Sequence, residues 1–199
     1  MAQADLKPET VLSAYTRGAF PMTDADGVTR WYTADPRGIL PFDRFHVPKT
    51  LRQTVRQGRF EIRVNADFEG TMRDCMLAVR RGEVGSWISN DLIACYATLN
   101  RFGYAHSVEA WQNDTRVGGL YGVALGGVFF GESMYHTVRD ASKVALVALV
   151  DRLRERGYEL LDTQASTPHL QRFGCVEIPA DVYMRRLQTA LRKHCRFDG

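Results

Sequence analysis

The sequence predicts an α+β fold, a mixed sheet flanked by helices with a small N-terminal domain, and three stretches carry that prediction. His106 to Tyr135 reads as three β segments joined by two tight turns, an antiparallel meander. The helix that follows is apolar all round from Val144 to Val150, which places its first half in the interior. After it come a strand, a short helical turn, a last strand and a closing helix between 158 and 191. At 199 residues the chain is long enough for one compact unit or a core with a small adjunct.

Pro8 at a first-turn position, with Val11, Leu12 and Tyr15 on one face and Gly18 as terminator, makes a short opening helix. A loop is expected from Ala19 to about Leu40, rich in Asp, Thr, Gly and Pro but holding Phe20, Met22, Trp31 and Tyr32. Aromatics in a long ordered loop serve as a lid on the core or as a stacking surface. A second helix runs from Pro48 to Gln57 and should bury Leu51 and Val55. Lys49, Arg52, Arg56 and Arg59 recur along it at helical spacing, a basic stripe without acidic partners. Such a stripe is either a solvated face or a track for a phosphate backbone.

RFEIRV at 59–64 alternates as a strand with Phe60, Ile62 and Val64 inward. Phe68, Met72, Cys75, Met76 and Val79 then keep the spacing of a core-facing helix. Past Trp87 and Ile88, Ser89 caps a helix that turns Leu92, Ile93, Tyr96 and Leu99 inward and stops at Gly103. The meander follows, and Asp140 is the expected cap of the apolar helix. YELLDTQ is a strand ending on Asp162, Thr163 and Gln164, and Asp181 should cap the last helix, which uses Tyr183, Leu187, Ala190 and Leu191.

The composition is that of an ordinary globular protein, with no apolar run near the ~20 residues a membrane helix needs. The opening MAQADLKPE has no apolar segment of the signal-peptide kind, so a cytoplasmic, monomeric protein without membrane contact is expected. Four cysteines lie far apart without zinc spacing, which favours buried free thiols and no metal site. The net charge of +3 says little about partners, although Arg outnumbers Lys 22 to 4, and Arg is the better bidentate phosphate ligand.

The glycine-rich run from Gly118 to Met134, GGLYGVALGGVFFGESM, leaves two readings open. Its glycines mark bulges or the close approach of a ligand or backbone, and its Glu132, set among apolar residues, either bonds backbone amides or holds a cation. The order of elements around it is that of the acetyltransferase-like (GNAT) fold. Coenzyme A is disfavoured, however, because the segment ESMYHTVRDAS that would cradle a pyrophosphate has no glycine turn and an acidic cap. No cofactor is expected.

Taken together, HSVEAW at 106, GGLYG at 118, GESM at 131, DASKVAL at 140 and LDTQ at 161, with FP at 20 and DPR at 35, resemble the leucyl/phenylalanyl-tRNA-protein transferase family over nearly the whole chain. The resemblance implies transfer of Leu or Phe from aminoacyl-tRNA to the N-terminal amine of proteins that begin with Arg or Lys, marking them for degradation. It also implies a small N-terminal domain over 1–40 and a GNAT-like catalytic domain over 41–199, with no metal. Residue by residue, it assigns Asp162 and Gln164 to the attacking amine and Glu132 to the aminoacyl site. Leu120, Phe129, Gly131, Leu146, Leu149 and Leu161 are assigned to the pocket for the apolar side chain, and Trp87 to stacking on the terminal adenosine. The stripe of Lys49, Arg52, Arg56 and Arg59 falls on a positive cluster assigned to the acceptor stem. Two departures are visible: the family's longer opening segment is absent, and Met22 stands where a second aromatic usually packs on the adenosine, with Trp31 as the candidate to compensate.

The residues themselves are compatible with ester aminolysis, which needs a neutral amine, an orienting group and a donor for the developing oxyanion. Strand alternation puts Asp162 and Gln164 on one face, with Asp162 orienting Gln164. His106 and Ser107 are adjacent on a strand, point to opposite faces and form no nucleophile-base pair. His136 and His169 carry no assignment. Two other functions compete: a coenzyme A-dependent N-acyltransferase, suggested by the fold alone, and a non-catalytic RNA-binding adaptor, suggested by the basic helix and the aromatics.

Overall fold

In a computed structural model, residues 3–78 and 86–198 are described. The centre of the molecule is a seven-stranded sheet in the order β4-β5-β6-β7-β8-β3-β9. Its long strands are the meander: β5 (Ala105–Gln112), β6 (Thr115–Leu125) and β7 (Val128–His136), each antiparallel to the next. β4 (Glu61–Val64) extends the meander on one side. On the other side β8 (Leu160–Gln164) runs parallel to β7, and β3 (Arg37–Ile39) lies antiparallel between β8 and β9 (Val176–Ile178). Segment 1–40 therefore supplies one strand of the large sheet as well as helix α1 (Pro8–Tyr15) and a separate ribbon of β1 (Phe20–Thr23) and β2 (Thr29–Tyr32).

Helices cover both faces. On one lie α1, α3 (Phe68–Leu77), α4 (Asn90–Arg101) and α7 (Ala180–Ala190), whose Val11, Met72, Tyr96 and Leu187 share a cluster with Tyr121 and Phe130 of the sheet. On the other lie α2 (Lys49–Arg56) and α5 (Ala141–Glu155), whose Leu51, Leu146 and Leu149 cluster with Leu120, Phe129 and Leu161. Alternation along β6 and β8 feeds the two clusters from opposite faces, as the pleat requires. α6 (Pro168–Gln171) bridges β8 to β9.

Several expectations are corrected. The loop foreseen over 19–40 contains three strands; at four, four and three residues they are too short for alternation to declare itself. Val55 and Ile62 are 37% and 36% exposed rather than inward, because α2 and the edge strand β4 each present only part of their apolar set to the core. Asp140 occupies the N-cap position of α5 in a left-handed conformation, but its carboxylate bonds Lys143 Nζ at 2.6 Å and caps no backbone amide. Asp181 sits inside the first turn of α7, whose N-cap is Pro179. Ser89 does cap α4, accepting from Leu92 N at 3.3 Å. Cys75, Cys95 and Cys175 are buried and Cys195 is only partly covered, with no disulfide among the described residues. Val79, counted with the α3 stripe, lies outside the described residues.

Candidate active site

Two irregularities in the sheet build the site. In β7, Gly131 pairs with Gly122 and Ser133 with Tyr121, so Glu132 is the extra residue of a β-bulge. Bulges re-aim side chains, and this one is permitted by Gly122, where a Cβ would lie 2.2 Å from the Phe130 carbonyl and 2.4 Å from the Phe129 ring. In β8, Ile39 pairs with Asp162 and Gly38 with Gln164, which makes Thr163 the extra residue. Gln164 there has φ of 56°, a left-handed conformation uncommon for a residue with a side chain.

The parallel pairing of β7 with β8 ends at Phe130 and Asp162, although both strands continue. Beyond that point they part, and the gap holds a cavity of about 520 Å³. The cavity passes from one face of the sheet to the other. Phe20, Met22, Trp87 and Tyr121 wall it on the α1/α4 side, whereas Leu120, Leu146, Leu149 and Leu161 wall it on the α5 side. Glu132 and Gln164 lie between the two halves. Ligand sites gather at such strand ends.

The two carboxylates at this junction are held differently. Asp162 is fully buried and accepts four hydrogen bonds: from Arg37 Nε at 2.9 Å and Nη2 at 2.6 Å, from the Tyr183 hydroxyl at 2.6 Å and from Gln164 N at 2.8 Å. That fills the roughly four acceptor positions of a carboxylate. Arg37 is buried as well, bonds the Gly18 carbonyl at 2.9 Å and stacks between the rings of Phe20 and Tyr183. The last of the Asp162 bonds fastens the strained backbone of Gln164.

Among the described residues, Glu132 has no cationic partner within hydrogen-bond reach. Oε1 accepts from the Tyr15 hydroxyl at 2.6 Å and from Gln164 Nε2 at 3.2 Å. Tyr15 is in turn bonded to the hydroxyl of Tyr96, and both tyrosines are buried. The Glu132 carboxylate touches the cavity but is enclosed by protein elsewhere. Desolvation pushes it up to about 8, with the Asp162 charge adding to the shift, while Tyr15 and Arg37 oppose it. Burial, with Glu132 beside it, pushes the Tyr15 phenol well above its ordinary range, so Tyr15 remains a neutral donor.

Of the residues singled out from the sequence, Met22, Trp87, Leu120, Gly131, Glu132, Leu146, Leu149, Leu161 and Gln164 all line the cavity. Phe129 stands behind the wall, in the core and stacked on Phe197. Trp31 pairs with Pro21 in the ribbon and packs against the same cluster as Phe20 and Met22, but it is not among the residues that line the cavity. Lys49, Arg52, Arg56 and Arg59 are all exposed, and among the described residues none is ion-paired. His106 and Ser107 make separate contacts: the imidazole meets Asn65 and the Gly103 carbonyl, and the hydroxyl donates to Glu109 at 2.7 Å.

Sequence reasoning missed Tyr15, Arg37, Tyr96 and Tyr183 as members of the site. Tyr15, Tyr96 and Tyr183 were legible only as apolar-face residues of helices, since nothing local shows that their hydroxyls meet carboxylates elsewhere in the chain. Arg37 falls in the DPR segment, and a lone Arg after an Asp-Pro pair carries no signal of burial.

The family model described as Leucyl/phenylalanyl-tRNA protein transferase matches residues 39–188, and that for the N-terminal domain of the same family matches residues 4–35. A protein named leucyl/phenylalanyl-tRNA–protein transferase from Rubrobacter xylanophilus is 52% identical, covering 94% of this chain and 96% of its own. Proteins of the same name from Herpetosiphon aurantiacus and Gloeobacter violaceus are 51% and 49% identical, each covering 96% of this chain and, respectively, 98% and 97% of their own. Among solved structures, L-PGS from Bacillus licheniformis aligns with a TM-score of 0.46 at 12% identity, over 94% of this chain and 71% of that one.

Proposed function

The chain belongs to the leucyl/phenylalanyl-tRNA protein transferase family, and from that premise we propose that it moves leucine or phenylalanine, and methionine less well, from aminoacyl-tRNA to the N-terminal amine of proteins that begin with Arg or Lys. The product is marked for degradation, and substrates of this kind place the activity in the cytoplasm. The observation that carries this reading is the cavity through the sheet, with leucines on one side, aromatic and thioether groups on the other, and a carboxylate where the halves meet. An aminoacyl-adenosine has the same three parts in the same order: an apolar side chain, an α-amine beside an ester, and a purine. We read the architecture as acetyltransferase-like, with the strand splay holding this ester in place of coenzyme A. The start of α5 offers an acidic Asp140 tied to Lys143 where a pyrophosphate would need open amides.

In the proposed mechanism the leucine-lined half takes the side chain and Glu132 takes the α-amine as its ammonium. The neutral N-terminal amine of the acceptor attacks the ester carbonyl carbon. A peptide bond forms, the bond from carbonyl carbon to ribose oxygen breaks, and the proton lost by the amine ends on that oxygen. Gln164 Nε2 is the donor set beside the carbonyl, where it stabilises the charge that develops on oxygen. Asp162 is a positioning residue: its acceptor capacity is used by Arg37, Tyr183 and the Gln164 backbone, so it fixes Gln164 rather than receiving the proton. Trp87, whose carbonyl accepts from Thr23 N at 3.0 Å, is placed with Phe20 and Met22 to pack on the adenosine. The exposed stripe on α2 follows the acceptor stem by charge.

Incubation with Leu-, Phe- and Met-tRNA and an Arg-initiated peptide tests the proposal. Label is expected on the peptide from leucine and phenylalanine, and less from methionine. Absence of transfer from all three charged tRNAs overturns it, and binding of tRNA that is indifferent to both charging and Glu132 substitution identifies an adaptor instead.

A further inference from the structure

We infer that Tyr15, backed by Tyr96, is a positioning residue for the aminoacyl site, fixing the Glu132 carboxylate so that its remaining oxygen meets the substrate ammonium. The inference rests on the reading of Glu132 as the group that holds the α-amine. Four segments converge on one carboxylate: Tyr15 at the last turn of α1, Tyr96 within α4, Gln164 at the end of β8 and Glu132 itself in the β7 bulge. Tyr15 and Glu132 are 117 residues apart in sequence and bonded at 2.6 Å. Both recorded bonds to Glu132, from Tyr15 and from Gln164, end on Oε1.

A carboxylate in a bulge, next to a cavity, has rotational freedom that a binding site cannot use. Tyr15 removes it. The Tyr15 ring is itself immobilised, at a centroid distance of 4.7 Å from Phe130 and with its hydroxyl bonded to Tyr96. Since burial keeps both phenols neutral, the pair can only donate toward Glu132 or share a proton with each other. A hydrogen bond to the charged form of a carboxylate favours ionisation, and around Glu132 the Tyr15 bond works against desolvation. The helix that the N-terminal family segment contributes thus completes the aminoacyl site, in addition to bordering the adenosine side.

The groups that face this carboxylate are Tyr15 and Tyr96 from the helices, Gln164 and Asp162 from β8, and Arg37 from β3. Only the tyrosines can be altered without touching the Asp162 and Gln164 unit. The experiment uses Tyr15→Phe, Tyr96→Phe and Glu132→Gln in the full chain. The probe is a non-hydrolysable leucyl-adenosine amide, its affinity measured from pH 6 to 9.5, with the Glu132 carboxyl followed by carbon NMR in the free protein. In Tyr15→Phe the acid limb of the affinity profile and the carboxyl titration should both move up by about one unit, which is roughly a tenfold loss of affinity near pH 7 that shrinks as pH rises. Tyr96→Phe should move both in the same direction by less, and Tyr15→Phe should have no effect in a Glu132→Gln background.

A purely structural tyrosine would lower affinity equally at every pH, and that result overturns the inference while leaving the role of Glu132 intact. If Glu132→Gln itself leaves affinity and pH profile unchanged, the reading beneath the inference fails instead. Should Tyr15→Phe not fold, Tyr96→Phe decides: an unmoved acid limb and titration overturn the inference.

Discussion

The ends of β7 and β8 each present a carboxylate to the same gap, and the surroundings give them opposite tasks. At the end of β8, Asp162 is closed on all sides by a guanidinium, a phenol and a backbone amide. In the bulge of β7, Glu132 is met, among the described residues, by neutral donors on one oxygen and faces the cavity. A buried charge with a matched partner is a fixed part of the scaffold. One without a partner is costly until a cation arrives, and that cost is what suits Glu132 to the binding role proposed for it. Proximity to the reacting atoms therefore does not rank two carboxylates; the vacancy in their hydrogen-bond shells does.

The largest effect is expected from breaking the closed side of the comparison. Arg37→Met leaves Asp162 buried without its cation and should lower stability by about 3–5 kcal/mol, measured by denaturant unfolding. The double variant Arg37→Met/Asp162→Leu should recover much of that loss, because no charge is then left unpaired. Equal losses in the single and double variants would show that the pair matters for its shape and not its charge.

The open side should respond the other way. For Glu132 the folded value of about 8 lies above the unfolded value near 4.5, so the folded state holds a proton that the unfolded state releases between those pH values. Stability from this group is therefore fully present below about pH 4.5 and lost as pH rises through 8. Glu132→Gln should remove that decline, leaving the variant more stable than the parent at pH 9 by on the order of 1–3 kcal/mol. The same substitution should reduce transfer by about two orders of magnitude in kcat/KM, since it deletes the charge proposed to meet the ammonium. A variant that lost stability at pH 9 would mean that Glu132, like Asp162, is part of the scaffold.

The smallest effect sharpens the contrast from outside it. Trp87→Ala should weaken binding of the adenosine end by ~1–3 kcal/mol, read as a higher KM for aminoacyl-tRNA. It should leave the pH dependence of stability unchanged, because among the described residues no hydrogen bond joins Trp87 to either carboxylate. A shift in that pH dependence would show that the aromatic wall controls the solvent around Glu132 and not only the purine.

Much of this protein could be read from its residues. The meander, the apolar helix and the closing strand-helix-strand-helix order lie within a few residues of where periodicity and turn glycines put them. The leucines of the cavity and Glu132 were singled out through family motifs. Legibility stopped where contacts become long-range. The β1–β2 ribbon and β3 were hidden because three- and four-residue strands give alternation too little length. Arg37 and Tyr183 gave no warning of their place on Asp162.

By itself, then, the sequence determined the local elements, the two apolar faces that must be covered and the types of group available for chemistry, because these follow from periods of two and 3.6 residues and from backbone freedom at glycine. Tertiary structure alone decided which groups are satisfied. Inserting β3 between β8 and β9 delivers Arg37 to Asp162, and the bulge opposite Gly122 delivers Glu132 to Tyr15 across 117 residues. A carboxylate's role depends on the donors around it in space, and no local pattern in the chain encodes that count.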